Sequence, residues 1–168
     1  HAAEATQAEE FAATFANAYA QVGTALSVNV AGATDVTYQW YVDGKVVSDE
    51  ASYTPTVADL EKWIEVVVTK EDKSEESRTK LYCSKLPVVY IDTENGASIV
   101  SKEDYINATM KIQGNDKFDP EETTLYSGAI EIRGRGNSTW SQPKKPYKIK
   151  LDKKTSVFDM GKNKHWVL

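Results

Sequence analysis

The stretch VTYQWYVDGKVV, Val36–Val47, decides the fold class of this chain. Val36, Tyr38, Trp40 and Val42 alternate with Thr37, Gln39 and Tyr41, the period of two that puts one row of side chains on each face of a strand. Asp43–Gly44 follows as a tight-turn signal, because Gly tolerates the positive φ that a short hairpin needs, and Lys45–Val47 resumes the strand. Working outward, "LSVNV" places Leu26, Val28 and Val30 on one face, and "WIEVVVT" does the same with Ile64, Val66 and Val68. "ASYTPT" reads as a short extended piece, "VADLEK" as a helical turn or corner, "KEDKSEES" as a charged turn and "RTKLYC" as a closing strand. Short strands joined by turns, with no long helix, predict a mainly β sandwich. "EEFAATFANAYA" stays ambiguous by pattern. Phe11, Phe15 and Tyr19 have helical spacing, yet the run leads directly into a strand.

From Phe11 to Ser84 the string VGTALSV…VTYQWYVDGKVVSDEASYTPTVADLEKWIEVVVT resembles the immunoglobulin-like repeats of bacterial surface proteins. The resemblance implies an immunoglobulin-like β-sandwich over residues 11–84, with "FANAYA" as first strand and Trp40 packed between the sheets. Where those repeats commonly carry "DLGK", this chain has "DLEK", so Glu61 stands at a corner where Gly would permit a left-handed backbone. Residues 1–10, rich in Ala and Glu, read as a loosely ordered leader or an expression-derived segment.

Leu86–Pro87 marks a boundary, and residues 86–168 read as a second β-rich module. "LPVVYIDTENG" is a strand ending in an Asn95–Gly96 turn. Ser101 with Asp104 has capping-box spacing for a short helical turn. "YINATMKIQG" returns to strand, residues 114–127 read as a polar loop, and "SGAIEIRGRG", "PYKIKL" and Asn163–Leu168 read as further strands.

Composition removes several function classes. Cys83 is the only cysteine, which excludes an internal disulfide and a cysteine-based zinc site. His1 and His165 are the only histidines, which argues against a two-histidine metal site. Uninterrupted apolar runs reach only a few residues, as at Val66–Val68, too short for a helical membrane span. The net charge of −5 is unevenly spread. Residues 1–127 carry 10 Lys/Arg against 22 Asp/Glu, and residues 128–168 carry 10 against 3, so a basic last quarter follows an acidic body. Only Trp140 and Tyr147 interleave with those cations as aromatics and the whole chain is acidic, so no nucleic-acid partner is expected. "NAT" at Asn107 and "NST" at Asn137 match a glycosylation pattern but read as polar strand and loop residues. Cys83 reads as a small packed residue. Of Tyr38, Trp40 and Tyr41, only Tyr41 lies on the face open to an exposed aromatic patch.

Glu131–Leu151, EIRGRGNSTWSQPKKPYKIKL, concentrates the candidate chemistry. Gly134 and Gly136 leave the backbone around Arg135 without bulk, a setting in which successive N–H groups can converge on an anion. Asn137, Ser138 and Thr139 add donors, and Arg135 adds a planar fork suited to phosphate. Alternation puts Lys148 and Lys150 on the face opposite Tyr147, Ile149 and Leu151. The pattern is neither the protein-kinase glycine signature nor a Walker A loop. By spacing alone, a structural turn with solvated lysines is favoured over a phosphate loop.

"LPVVYIDTENG", the long string R-G-x-x-S-x-W…P-K-K-x-Y-x-I-K-L and "MGKNKHWVL" are similar to the start of the CotH-type atypical kinase family, known from spore coats and secreted bacterial proteins. That resemblance covers Leu86–Leu168 and implies the first part of a kinase small lobe, with family activity ATP-dependent phosphorylation of protein Ser. It implies ATP with a divalent metal as cofactor, Arg135, Gly136, Asn137 and Ser138 around the phosphates, and Lys148 or Lys150 as the neutralising lysine. No residue matches the family's catalytic acidic groups, so the chain is expected to be a truncated piece, inactive alone, of an extracellular or cell-surface bacterial protein. Its expected partner is a secreted protein substrate or a cell-surface component. The competing expectation is a non-enzymatic adhesion or structural module with an immunoglobulin-like spacer.

Overall fold

A computed structural model describes residues 7–116 and 123–168. The expected leader therefore lies mostly outside the described residues, as does the middle of the expected polar loop. The protein is mainly β, with twelve strands among the described residues in three antiparallel sheets. The chain divides between Leu86 and Pro87 into two compact units, and Asn115 and Asp116 belong with the first.

The first unit holds β1 (Ala12–Phe15), β2 (Leu26–Ala31), β3 (Val36–Val42), β4 (Lys45–Ser48), β5 (Ser52–Tyr53), β6 (Lys62–Lys70) and β7 (Glu76–Cys83). They form a three-stranded sheet, β1-β2-β5, and a four-stranded sheet, β4-β3-β6-β7. Both contribute to one core, in which Ala13 and Leu26 join Trp40, Val42, Ile64, Val66 and Val68. The alternation fixes this arrangement, since a one-residue slip would turn every one of these side chains to solvent. Trp40 is fully buried, touches the rings of Phe15 and Tyr53, and donates its indole N–H to the Glu50 carbonyl at 2.8 Å.

The Asp43–Gly44 turn takes positive φ at both residues (46° and 78°), the conformation that matches strand twist in a two-residue hairpin. The predicted corner is a 3-10 turn, Val57–Asp59. There the buried Asp59 carboxylate accepts hydrogen bonds from Tyr53 Oη (2.6 Å), Thr56 N (2.8 Å) and Thr56 Oγ1 (3.2 Å). Burial, and then the bond to Asp59, push the Tyr53 phenol well above its ordinary value. Glu61 itself adopts the left-handed backbone, with φ of 61°, and its N–H closes on the Cys83 carbonyl at 2.6 Å.

The first strand differs from the expectation. It covers Ala12–Phe15 and stops, and Ala16–Tyr19 is a bend rather than strand or helix. Asn17 turns the chain by accepting from Ser27 N (3.1 Å) and donating to the Ala25 carbonyl (3.2 Å). This local competition with the sheet ladder is typical of Asn.

The second unit is one five-stranded antiparallel sheet ordered β12-β11-β10-β9-β8. Its strands are β8 (Val88–Thr93), β9 (Ile106–Gln113), β10 (Thr124–Gly134), β11 (Tyr147–Ser156) and β12 (Lys162–Val167). One face carries the core: Ala108, Met110, Ile112, Tyr126, Ile130, Ile132, Ile149, Leu151 and Val157, with Trp166 packed against it. The expected loop over 114–127 is shorter, because the strand resumes at Thr124. Thr124 Oγ1 donates to Gln113 Oε1 (3.1 Å), Gly114 N donates to the Thr123 carbonyl (2.7 Å), and a bulge at Leu125 resets the register. Polar Thr side chains hide a strand start from a hydrophobic-pattern reading. Ser101 accepts from Asp104 N (2.8 Å) as its spacing predicts, but caps a bend with no helical turn behind it.

Candidate functional site

Strand alternation in β10 and β11 builds the candidate site. Ile130, Ile132, Ile149 and Leu151 face the core, so Ala129, Glu131 and Arg133 on β10 and Lys148, Lys150 and Asp152 on β11 share the opposite, solvent-side face. Cross-strand partners are Glu131 with Lys150, Arg133 with Lys148, and Gly134 with Tyr147. Beyond them Arg135 N donates to the Pro146 carbonyl at 3.1 Å, which extends the ladder by one step. The Arg135 side chain is exposed.

The two candidate lysines have different surroundings. Lys150 Nζ lies 2.6 Å from Glu131 Oε2 and 5.7 Å from the Tyr105 ring centre. Lys148, half-buried, has no ion pair among the described residues. The Arg133 guanidinium lies over the same Tyr105 ring, 5.0 Å from its centre. Arg133 was not singled out by its motif. Its signal was present in the sequence as alternation, which places it on the lysine face beside the conspicuous Gly134–Gly136 pair.

The loop between β10 and β11 is organised by Trp140. Gly134 faces the core side, and a Cβ added there would stand 2.5 Å from the indole. Trp140 also meets Tyr147 edge-on, at 6.1 Å between ring centres, and holds Lys145 Nζ 4.8 Å over its own ring. Gly136, at φ 90°, has Thr139 Oγ1 where a side chain would be. A 3-10 turn, Ser138–Ser141, closes the loop, with Ser141 Oγ donating to the Ser138 carbonyl at 2.7 Å. Trp140 thus draws the loop toward the apolar face, while Lys148 and Lys150 project from the other. Asn137 and Ser138 are exposed, and no hydrogen bond joins their side chains to either lysine. The structure brings Lys148 and Lys150 to one face, leaves Arg135 exposed just past the end of β10, and leaves Gly136, Asn137 and Ser138 in the loop beyond it.

Farther along the same face, Ala129 opens a shallow hollow. One part, about 130 Å³, is bordered by Asn107, Glu131, Lys150 and Asp152; a neighbouring part, about 390 Å³, is bordered by Asp92, Glu94, Asn107 and Thr109. Arg133 and Lys148 therefore form a cationic end of the face, while the hollow is bordered mainly by carboxylates, with Lys150 among them. A phosphate group fits the cationic end by charge and donor chemistry. A divalent metal is not matched in the same way, since no group of three or more His, Cys, Asp or Glu among the described residues could hold one.

Elsewhere, Cys83 is fully buried and burial pushes its thiol up to about 11, the opposite of the depressed value of a reactive cysteine. Tyr41 is half-buried, its hydroxyl donating to Gln39 Oε1 at 2.8 Å. The most exposed aromatics of that sheet are Trp63 and Tyr82, cross-strand partners with ring centres 5.3 Å apart. Sequence reading passed over them because neither belongs to an aromatic cluster in the linear order. Among the described residues no helix is long and apolar enough to cross a membrane. No family model matches this chain, and no curated protein matches it.

Proposed function

We propose that the solvent-side face of β10 and β11 is the phosphate end of a nucleotide site, in the front part of a CotH-type kinase lobe that follows an immunoglobulin-like module. The observation that carries this reading is the shared face: Arg133 and Lys148 stand at one end, with Arg135 just past the end of β10, and the Ala129 hollow lies at the other. Four residues of strand separate Ala129 from Arg133, about 13 Å at the usual rise, which is a length a nucleoside triphosphate can span. A small side chain at Ala129 lets a flat base approach the sheet. In the first unit, two sheets closing on a buried Trp support the immunoglobulin-like reading. Family resemblance supplies the rest: a secreted or cell-surface bacterial protein whose complete form phosphorylates Ser on a protein substrate. Phosphoryl transfer needs acidic residues that hold metal and orient the attacking hydroxyl. The resemblance matches no residue of this chain to those groups, so the reading assigns ATP binding to this chain and no transfer step.

Calorimetric titration with ATP at low salt tests the reading. Saturable binding weakened by Lys148→Ala supports it, and absence of binding at millimolar ATP sinks it. A second reading, a non-enzymatic adhesion module, is favoured by the exposed Trp63–Tyr82 pair. Binding of purified cell-surface glycans or proteins that is lost in Trp63→Ala, with no ATP binding, would establish that one instead.

A further inference from the structure

The hairpin that joins β11 to β12 ends in a turn whose residues do not suit its backbone. Met160 N donates to the Val157 carbonyl at 3.2 Å, so Phe158 and Asp159 are the central pair of the turn. Both are left-handed, at φ 54° and 56°, the conformation that matches strand twist in a tight hairpin. Asp tolerates it, because a short polar side chain can bond locally, but a bulky ring at positive φ is strained. Core packing does not offset that strain. Phe158 is 43% exposed and lies outside the core, and Met160 beside it is 64% exposed. Val157, one residue earlier, is buried and fixes the base of the turn. The fold therefore holds two large apolar side chains out at a tip where Gly, Asn or Asp would cost less. Strain kept at an exposed position points to a role for the side chain that bears it.

The arms of the same hairpin are basic. Lys153 and Lys154 sit where the register jumps, from Lys150 opposite His165 to Thr155 opposite Asn163, and Lys162 and Lys164 stand on the facing strand. None of these four lysines has an ion pair among the described residues. Asp152 and Asp159 are the acids of the segment, and Asp152 accepts from Lys153 N at 2.8 Å. An apolar tip ahead of a collar of unpaired lysines matches an anionic bilayer. Apolar groups of surface-bound segments enter the headgroup boundary by about 5–10 Å. Lys154 lies three positions before Val157, about 10 Å back along the strand, which leaves its ammonium level with the lipid phosphates. A protein groove would accept the tip but gives no reason for the collar, and a soluble polyanion would accept the collar but not the tip. We infer that the β11–β12 hairpin is a peripheral anchor for an anionic lipid surface, with Phe158 and Met160 inserted and Lys153, Lys154, Lys162 and Lys164 around them. The whole chain carries a net −5, so the attraction belongs to this hairpin and fixes which end meets the bilayer. It is independent of the nucleotide site proposed above.

The test uses the whole chain in cosedimentation with two kinds of vesicle, phosphatidylcholine alone and an equal mixture of phosphatidylcholine and phosphatidylglycerol. At low salt the protein should bind the mixed vesicles and not the neutral ones, and rising salt should weaken the binding. Lys154→Gln and Lys162→Gln should each weaken it about fivefold, the scale of one lysine near a charged leaflet. Phe158→Asn should weaken it about tenfold or more through lost apolar contact, yet melt at or above the wild-type temperature because the strain is relieved. Met160→Ser, at the most exposed position of the tip, should fold unchanged and weaken binding about fivefold. Absence of binding to the mixed vesicles at low salt overturns the inference. So does vesicle binding that depends on the lysines but is unmoved in both Phe158→Asn and Met160→Ser, which would mark a charged patch without insertion. A Phe158→Asn variant that melts below wild type would make Phe158 a packing residue and overturn it as well. Release of the protein from vesicles by millimolar glycerol phosphate would show capture of a free headgroup in place of a surface, with the same consequence.

Discussion

The Trp140 indole occupies the space where a side chain on Gly134 would stand, 2.5 Å from an added Cβ. Gly134 is therefore required by its neighbour rather than by backbone twist. Overfilling a packed site costs about 1–3 kcal/mol, so Gly134→Ala should lower the stability of the second unit by that amount and free the Ser138–Ser141 turn. Urea unfolding followed by Trp fluorescence would read the first effect, and amide exchange of the loop the second. An unchanged midpoint with an unchanged loop would count against Trp140 as its organiser.

Glu61 holds a left-handed backbone that Gly adopts without penalty. Its carboxylate makes one exposed ion pair, to Lys85 at 3.3 Å, which contributes little. Relief of a left-handed conformation in an L-residue is worth about 1–2 kcal/mol, offset by the extra chain entropy of Gly. Glu61→Gly should therefore stabilise the first unit by about 0.5–1 kcal/mol. A raised melting temperature by calorimetry would bear this out; a fall would show that the Lys85 contact outweighs the strain.

Asp59 gathers three donors from Tyr53 and Thr56 in a buried corner. Asp59→Ala leaves them without an acceptor, and the first unit should lose about 3 kcal/mol, the range for buried polar groups stripped of a charged partner. Tyr53→Phe removes one donor only and should cost less. Near-equal losses in denaturant melts of the two variants would contradict the shared-acceptor role.

Burial raises the Cys83 thiol from an ordinary 9.0 to about 11. The unfolded chain loses this proton near pH 9.0 while the folded chain keeps it. Stability from this group is thus complete below that pH and declines as pH rises toward about 11. Tyr53, also raised by burial, adds to the decline above its ordinary value of 10.0. Thermal melts between pH 8 and 11 should show a steepening alkaline loss, reduced in Cys83→Ala. At pH 8 a thiol reagent should label the native protein far more slowly than the denatured one.

The strand faces, the Asp43–Gly44 hairpin and the inward row of Val36, Tyr38, Trp40 and Val42 were legible in the sequence, because period-two alternation and turn chemistry are local properties. The end of β1 at Phe15 and the start of β10 at Thr124 were not. Both are set by hydrogen bonds from Asn17 and from the Gln113–Thr124 pairing, whose partners lie 8–11 residues away.

The same division holds at the candidate site. Composition and alternation by themselves determined a mainly β chain with a basic last quarter, and a common face for Lys148 and Lys150. Only the tertiary structure decided that Glu131 holds Lys150, that Arg133 meets Lys148 without an acid between them, and that Trp140 draws the glycine loop toward the other face. Register between strands and packing across them fix which charges become neighbours, and neither is written in the spacing of residues along one strand.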